Sequence, residues 1–167
     1  MPTLERIRTS NKLHQSQQIM EHTWHRDLAV KTCYFYDWEH DNQKTTLSPK
    51  QDKDKIPMDV KFIINSAQTF DKDAITYHIQ LKPSQECVVP YYEEVFGERY
   101  DATYPVGLYC DIPDAKGKYN RWLVVGLANS NDPMFPTYEV LRCDKVFQWV
   151  FNQKKYNVAG VLRSQNS

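Results

Sequence analysis

The amino-acid sequence predicts a mainly β protein: a small antiparallel β-barrel or sandwich with an N-terminal helical or extended arm. Several short stretches alternate apolar and polar residues with a period of two, the pattern of half-buried strands. Turn residues separate these stretches about every ten residues, as in sandwiches and small barrels. The 167 residues include only five glycines, so glycine-rich phosphate-binding loops are absent. We expect an arm over residues 1–27 and a barrel-like domain over 28–167.

The first element is a predicted helix from Leu4 to about Trp24, with Thr3 as a possible cap. The Thr9-Ser10-Asn11 trio interrupts its pattern, and its apolar stripe is thin. A helix this polar gains little by covering its own core. Two alternatives stay open: it packs on a neighbouring molecule, or it is a frayed terminal arm.

The next elements are predicted strands. In residues 28–38, Cys33 and Phe35 lie on one face and the tyrosines on the other. Residues 41–55 alternate lysine and aspartate and predict a solvated loop or hairpin tip. Two strongly alternating stretches follow, around residues 59–66 and 74–83, and predict a hairpin. Their apolar faces carry Val60, Phe62 and Ile64, and Ile75, Tyr77, Ile79 and Leu81.

After an irregular passage between Pro83 and Pro90, the residues YYEEVFG predict a short helical turn. The stretch VGLYCDIPD predicts another strand, with Leu108, Cys110 and Ile112 on one face. Four more strands are predicted between residues 119 and 162, namely RWLVVGLA, YEVLRC, KVFQWVF and KYNVAGVL. Short polar joints separate them, so a meander is expected, for a total of seven or eight strands.

Charge and composition favour protein partners. Lysine plus arginine equal aspartate plus glutamate at 21 each, so no net field attracts nucleic acid or anionic lipid. Aromatic residues make up 13% of the chain and include eleven tyrosines. Protein interfaces are enriched in tyrosine and tryptophan. The candidate interface residues are Trp24, Tyr91, Tyr92, Phe96 and Tyr138.

The four cysteines are widely spaced, which disfavours a zinc ribbon or a redox pair. Cys110 and Cys143 fall within strand patterns and are expected to be small core residues. The N-terminus is polar and charged, and no stretch approaches eighteen continuous apolar residues. The sequence therefore predicts a cytoplasmic protein with free thiols and no membrane association.

The sequence contains no convincing catalytic or metal-binding motif. His22 and His25, with Glu21, His40 and Asp41, lack the spacing of a zincin helix, so surface histidines are the preferred interpretation. The carboxylates Glu93, Glu94, Glu98 and Asp101 suggest acid–base work, but adjacent glutamates point apart on a helical turn. A nucleophile elbow is missing. We therefore expect neither an enzyme nor a bound cofactor or metal.

An oligonucleotide-binding barrel module is the alternative function. Its bases would stack on a platform of aromatic side chains, for which the candidates are Tyr77, Tyr109, Trp122, Phe147 and Trp149. Such platforms accompany a basic groove, which the balanced charge does not indicate. Trp122 and Trp149 are more simply interpreted as core or interface residues.

The order of the later motifs resembles virion proteins of tailed bacteriophages. These motifs are GLYCDIPD, YNRWLVVG, a proline-containing joint, YEVLRCDKVFQWVF and KKYNVAGVLRSQ. The earlier stretches IPMDVKFIINSAQTFDKDAITYHIQLKP and YYEEVFGERYDATYPVGLY are similar to the preceding part of the same proteins. The resemblance covers most of the chain from about Ile56 onward and excludes the arm.

The resemblance implies a neck component of the virion, either a head-closure (stopper) protein or a head-to-tail adaptor. Copies of such a protein form a ring beneath the portal, contact portal or adaptor and tail proteins, and let genomic DNA pass without sequence-specific binding. The implied location is the virion neck, and the host cytoplasm during assembly.

Overall fold

A computed structural model describes residues 12, 15–16, 18–19, 21–39, 41–66, 75–82, 105–128 and 136–162. These residues include eight strands, the described helical residues of the arm between 12 and 23, and the 3₁₀ turn Trp24–Arg26. The strands are β1 (Val30–Tyr36), β2 (Ile56–Ser66), β3 (Ile75–Leu81), β4 (Tyr109–Pro113), β5 (Tyr119–Leu127), β6 (Thr137–Arg142), β7 (Lys145–Phe151) and β8 (Lys154–Gly160). The prediction of a mainly β protein with a small antiparallel barrel is confirmed.

Six strands close into a barrel in the order β1-β2-β3-β6-β5-β4, with β4 pairing back on β1. Every pairing in the barrel is antiparallel. The barrel therefore consists of two three-stranded meanders, β1-β2-β3 and β4-β5-β6, joined side by side. The predicted pairing of the second and third strands is confirmed by their register, in which Val60 faces Leu81 and Phe62 faces Ile79.

The barrel interior is filled by the apolar faces that the alternation predicts. Buried residues from all six strands contact one another there: Cys33, Phe35, Ile56, Met58, Val60, Ile79, Leu81, Leu108, Cys110, Ile112, Trp122, Val124, Tyr138 and Val140. Phe62, Tyr77 and Leu127 pack against this core from its margin. Ile64 is the exception, because it stands near the end of β2 and is 59% exposed. Cys33, Cys110 and Cys143 are free and buried, which confirms the expectation that Cys110 and Cys143 are small core residues.

The last two strands lie outside the barrel. β7 and β8 pair only with each other and form a two-stranded antiparallel sheet, here called the hairpin. The single meander expected over residues 119–162 thus divides: β5 and β6 continue the barrel wall, whereas β7 and β8 leave it. Asn152 and Gln153 join them with φ angles of 47° and 62°, the left-handed conformations that a two-residue type I′ turn requires.

Residues 41–55, here called the strap, correct the expectation of a solvated loop. Asp41, Pro49 and Lys55 are buried, although the segment is built from turns and bends. The strap lies against the outer side of the barrel wall, where the backbone N–H of Arg121 donates to the carbonyl oxygen of Leu47 at 3.0 Å. Sequence alternation alone gives no sign of this contact, because the strap's charges find their partners on distant strands.

The described residues of the arm from 12 to 23 are helical and lead into the 3₁₀ turn. Trp24 ends this segment at 3% exposure, and its indole Nε1 donates to the carbonyl oxygen of Asp59 at 3.3 Å. Lys61 Nζ stands 4.9 Å from the centre of the indole ring. Trp24 is thus packed against β2 of its own chain and does not offer a free contact surface. None of the described helical residues forms a helix long and apolar enough to cross a membrane.

Candidate interaction surface

Two groups of aromatic and cationic residues lie on the outer side of the barrel, one buried and one exposed. The buried group occupies the contact between strap and barrel wall. Lys55 Nζ lies 2.7 Å from Asp111 Oδ2, and both side chains are almost fully buried. Tyr36 donates its hydroxyl proton to the other oxygen of the same carboxylate, Oδ1, at 2.7 Å. Asp111 is therefore held from β1 and from the strap at once.

Arg121 is the second centre of this buried group. Its Nη1 lies 2.9 Å from Asp41 Oδ2, in an ion pair whose two side chains are both buried. Its Nη2 donates to the carbonyl oxygen of Gln43 at 3.1 Å. The guanidinium carbon is 5.6 Å from the ring centre of Tyr36 and 5.1 Å from that of Tyr109. The ion pair, the hydrogen bond and the two rings fix the strap on the barrel.

Ionisable groups converge here, but they are sealed from solvent. Asp111 and Arg121 are both 0% exposed. Burial raises the pKa of Asp111 above its ordinary range, and the hydrogen bonds from Lys55 and Tyr36 act in the opposite direction. Burial likewise raises the pKa of Tyr109 to about 12. The arrangement pairs the two buried charges that the strap brings in, Lys55 with Asp111 and Asp41 with Arg121.

The exposed group lies on the hairpin. Strand alternation and the register of β7 with β8 place Phe147, Trp149, Phe151 and Tyr156 on one side of the two-stranded sheet, here called the aromatic face. The rings of Trp149 and Tyr156 stack with centres 5.6 Å apart and planes 12° from parallel. Phe147, Trp149 and Phe151 are 39%, 46% and 62% exposed. Three large rings in a row face solvent, which makes the aromatic face a candidate interaction surface.

The root of the hairpin is fixed to the barrel. Tyr109 donates its hydroxyl proton to the carbonyl oxygen of Ala159 at 2.6 Å, and the N–H of Asp144 donates to the carbonyl oxygen of Gly160 at 3.0 Å. Ala159 also packs with Tyr36, Tyr109 and Cys143 in a second buried cluster. The tip, by contrast, has exposed residues on both faces. The hairpin therefore projects from a rigid base.

An apolar groove of about 310 Å³ opens between the hairpin and the barrel. Its walls are Trp38, Gly107, Tyr109, Leu123, Trp149, Val158 and Ala159, none of which carries a charge. Trp38 and Trp149 stand at its rim, since they are 41% and 46% exposed. The Tyr109 hydroxyl already donates its proton to the carbonyl oxygen of Ala159. The groove suits an apolar or aromatic side chain and offers no acid–base pair for catalysis.

The hairpin is also basic. Lys145, Lys154 and Lys155 are exposed, and residues 145–160 contain no aspartate or glutamate. The closed barrel leaves no unpaired strand edge, so among the described sheets the unpaired edges belong to β7 and β8. Exposed rings, lysines and open strand edges thus coincide in one element of the structure.

The candidate interface residues from the sequence do not form this surface. Tyr138 is 2% exposed and belongs to the barrel core, because its position on β6 points inward, and Trp24 packs on β2. Tyr91, Tyr92 and Phe96 lie outside the described residues. Phe147 and Trp149 are among the stacking candidates from the sequence, and Trp149 is also interpreted there as a core or interface residue, but neither is grouped with Phe151. The signal for that grouping is the stretch KVFQWVF, in which three large rings stand at alternate positions and therefore on one face of a strand.

The aromatic platform of the alternative function is not assembled on the barrel wall. Trp122 is 8% exposed and packs edge-to-face against Phe62 and Tyr77, at 5.3 and 5.0 Å between ring centres. Tyr109 is buried against Arg121. Phe147 and Trp149 alone among the five candidates are exposed, and both belong to the hairpin.

The structure describes only some of the residues that the sequence offered as metal ligands or catalytic carboxylates. His22 and His25 are exposed, while Asp41 is buried and paired with Arg121. In the described part of the chain, no three histidine, cysteine, aspartate or glutamate side chains are grouped to hold a metal ion. His40 and the carboxylates Glu93, Glu94, Glu98 and Asp101 lie outside the described residues.

Comparisons with protein-family models, with curated proteins and with solved structures find no significant match to this chain. The structure itself defines the architectural class: a closed six-stranded antiparallel barrel that carries a projecting hairpin with exposed aromatic residues.

Proposed function

We propose that this chain is a structural virion protein of a tailed bacteriophage. In this proposal it is a neck component that assembles with copies of itself into a ring beneath the portal and contacts portal or adaptor and tail proteins. The resemblance of its sequence to such proteins supports the class. The observation that carries the proposal is the aromatic face of the hairpin, which exposes three large rings on a rigidly based element.

The physics of ring assembly agrees with this arrangement. A ring needs heterologous contacts in which one surface of a copy meets a different surface of the next. The barrel supplies a rigid body without open edges, and the hairpin supplies a projecting contact element. Tryptophan and tyrosine dominate the energetics of interfaces, because they bury much area for little loss of conformational freedom.

We further propose that the protein has no catalytic turnover. The converging ionisable groups around Asp111 and Arg121 are buried and mutually paired. The groove beside the hairpin is lined by uncharged residues. Neither place combines solvent access with an acid, a base or a nucleophile, which catalysis requires together.

Analytical ultracentrifugation and electron microscopy of the full-length chain test the proposal. We expect the purified protein to form closed rings, alone or on addition of portal-containing particles, and a labelled chain to localise at the neck of intact particles. A chain that stays monomeric at every concentration and joins neither particle nor tail would refute it.

Oligonucleotide binding remains the second candidate, and the three exposed lysines of the hairpin, two of them on the side of the rings, favour it. Residues two apart on a strand stand about 7 Å from each other, roughly twice the rise of a stacked nucleotide. Only a single strand with separated bases could therefore stack on successive rings of β7. The six-stranded closed barrel differs from the five-stranded, partly open oligonucleotide-binding fold. Fluorescence anisotropy with single-stranded DNA at two salt concentrations distinguishes the candidates, since true binding weakens as salt rises.

A further inference from the structure

The hairpin has a chemistry that specifies its occupant. Its residues 145–160 include three lysines and no acidic residue, a net charge of +3. Lys145 at the root and Lys154 at the tip lie on the same side of the sheet as the rings, whereas Lys155 stands next to Lys154 at the tip and points to the opposite side. A partner that covers this face must bring aromatic or apolar side chains for the rings and carboxylates for the lysines.

Four of the described carboxylates already have partners within their own chain. Asp111 forms a buried ion pair with Lys55, and Asp41 forms one with Arg121. Asp27 pairs with Lys61 at 2.7 Å, and Asp114 accepts hydrogen bonds from the backbone of its own turn. These carboxylates stand apart from one another on different elements. None of them borders a row of exposed rings.

One segment of the sequence has the complementary chemistry. Residues 91–101, YYEEVFGERYD, contain four acidic residues and one basic residue, a net charge of −3. The same eleven residues include four aromatic rings, Tyr91, Tyr92, Phe96 and Tyr100. The segment matches the hairpin in both respects, since it balances a charge of +3 and supplies rings to pack on rings. It lies outside the described residues, so the match is one of composition.

We propose that the aromatic face of the hairpin docks the acidic segment 91–101 of a second copy of this chain. This inference rests on the proposed function, because it names the contact by which copies join into a ring. Such a contact is heterologous: each copy gives one hairpin and receives one hairpin, so the contact propagates from copy to copy until the ring closes. The uncharged groove beside Trp149 accepts a ring from the segment, and the lysines pair with its carboxylates at the rim.

A charge-swap experiment on the full-length protein tests the contact. One variant carries Lys154→Glu and Lys155→Glu, and the other carries Glu93→Lys and Glu94→Lys. We expect each variant alone to self-associate at least about tenfold more weakly than the wild type, because like charges then face each other. Sedimentation velocity measures the association. A control variant with Lys53→Glu and Lys116→Glu makes the same charge change at exposed lysines away from the hairpin and should associate like the wild type.

Mixing the two swapped variants gives the decisive result. In the mixture, every acidic hairpin can meet a basic segment and every basic hairpin an acidic segment. We therefore expect an equimolar mixture to recover association to within about threefold of the wild type. Contact within one chain would not be restored by mixing. Circular dichroism spectra that match the wild type establish that each variant is folded.

The outcomes separate this inference from the function on which it rests. A wild type that never associates, with or without neck partners, overturns both. A wild type that associates while the mixture stays dissociated overturns the charge-paired contact and leaves the ring proposal standing. If Lys154→Glu with Lys155→Glu leaves association unchanged but abolishes binding of a single-stranded oligonucleotide, the hairpin serves nucleic acid and the inference is wrong.

Discussion

The buried group at the strap and the exposed group on the hairpin are built from the same types of side chain, cations and aromatic rings, but one is sealed inside the fold and the other faces solvent. At the strap, Lys55 lies 4.3 Å from the ring centre of Tyr36, and Arg121 lies between two tyrosines. On the hairpin, lysines flank Trp149 and Tyr156. Carboxylates are present in the first group and missing from the second. A cation beside an aromatic ring stabilises a fold once an acid completes it, and it remains a site for a partner where no acid does.

The largest expected effect is the loss of stability when the buried ion pair between Lys55 and Asp111 is removed. Asp111→Ala removes the partner of Lys55 and leaves a buried, unpaired ammonium group. We expect the free energy of unfolding to fall by about 3–5 kcal/mol, measured by urea denaturation. Lys116→Ala, at an exposed site, should change it by less than about 0.5 kcal/mol. Equal stability of the two variants would show that the strap is not held by this pair.

The next effect concerns the exposed side. Trp149→Ala deletes a ring that is 46% exposed, so the free energy of unfolding should change by no more than about 1.5 kcal/mol. Its self-association should weaken by about thirtyfold or more, the loss expected for a tryptophan at the centre of an interface. Trp122→Ala is the matched control, because Trp122 lies in the barrel core and its loss should destabilise the fold by about 3–5 kcal/mol. A Trp149→Ala protein that unfolds like Trp122→Ala would place Trp149 in the fold's core.

Alkaline pH should weaken the attachment between the two regions. Burial raises the pKa of Tyr109 from 10.0 to about 12. Between these values the folded state keeps a proton that the unfolded state has lost, so stability falls as pH rises through this window. Thermal unfolding followed from pH 9 to 12 measures the loss, and Tyr109→Phe should show a shallower dependence on pH. An unchanged slope in that variant would contradict the role given to burial.

The smallest effect sharpens the description of the hairpin. Gln153 has a φ of 62°, a conformation that costs a residue with a Cβ atom but suits glycine in a type I′ turn. Gln153→Gly should therefore stabilise the hairpin by about 0.5 kcal/mol and leave association intact. Slower amide hydrogen exchange in β7 and β8 measures the gain. Faster exchange would show that the turn does not limit the hairpin.

The barrel was predictable from the sequence because each of its strands obeys a simple alternation. Faces such as Leu108, Cys110 and Ile112 enter the core as expected. Tyr138 obeys the same rule and is buried, so its assignment to an interface ignored its position in the strand. The projecting position of β7 and β8 was not predictable, because they show the same period-two alternation as the barrel strands. That pattern does not indicate which strands pair with each other.

The buried polar group was hidden for a different reason. Asp111 and Arg121 occupy the face of their strands that alternation assigns to solvent, and the strap's lysines and aspartates cancel in charge. Only the folded chain brings Lys55 to Asp111 across 56 positions of sequence. Long-range ion pairs of this kind depend on tertiary contacts that neither periodicity nor composition encodes.

The most direct test of the account is the mass of the assembled protein with and without the aromatic face. The triple variant Phe147→Ser, Trp149→Ser and Phe151→Ser removes the three exposed rings from the hairpin and leaves the barrel core unchanged. Sedimentation velocity over a range of concentrations should show the wild type as a multi-copy ring and the triple variant as a folded monomer. Two identical profiles, either both ring-sized or both monomeric, would contradict the claim that the hairpin joins one copy to the next.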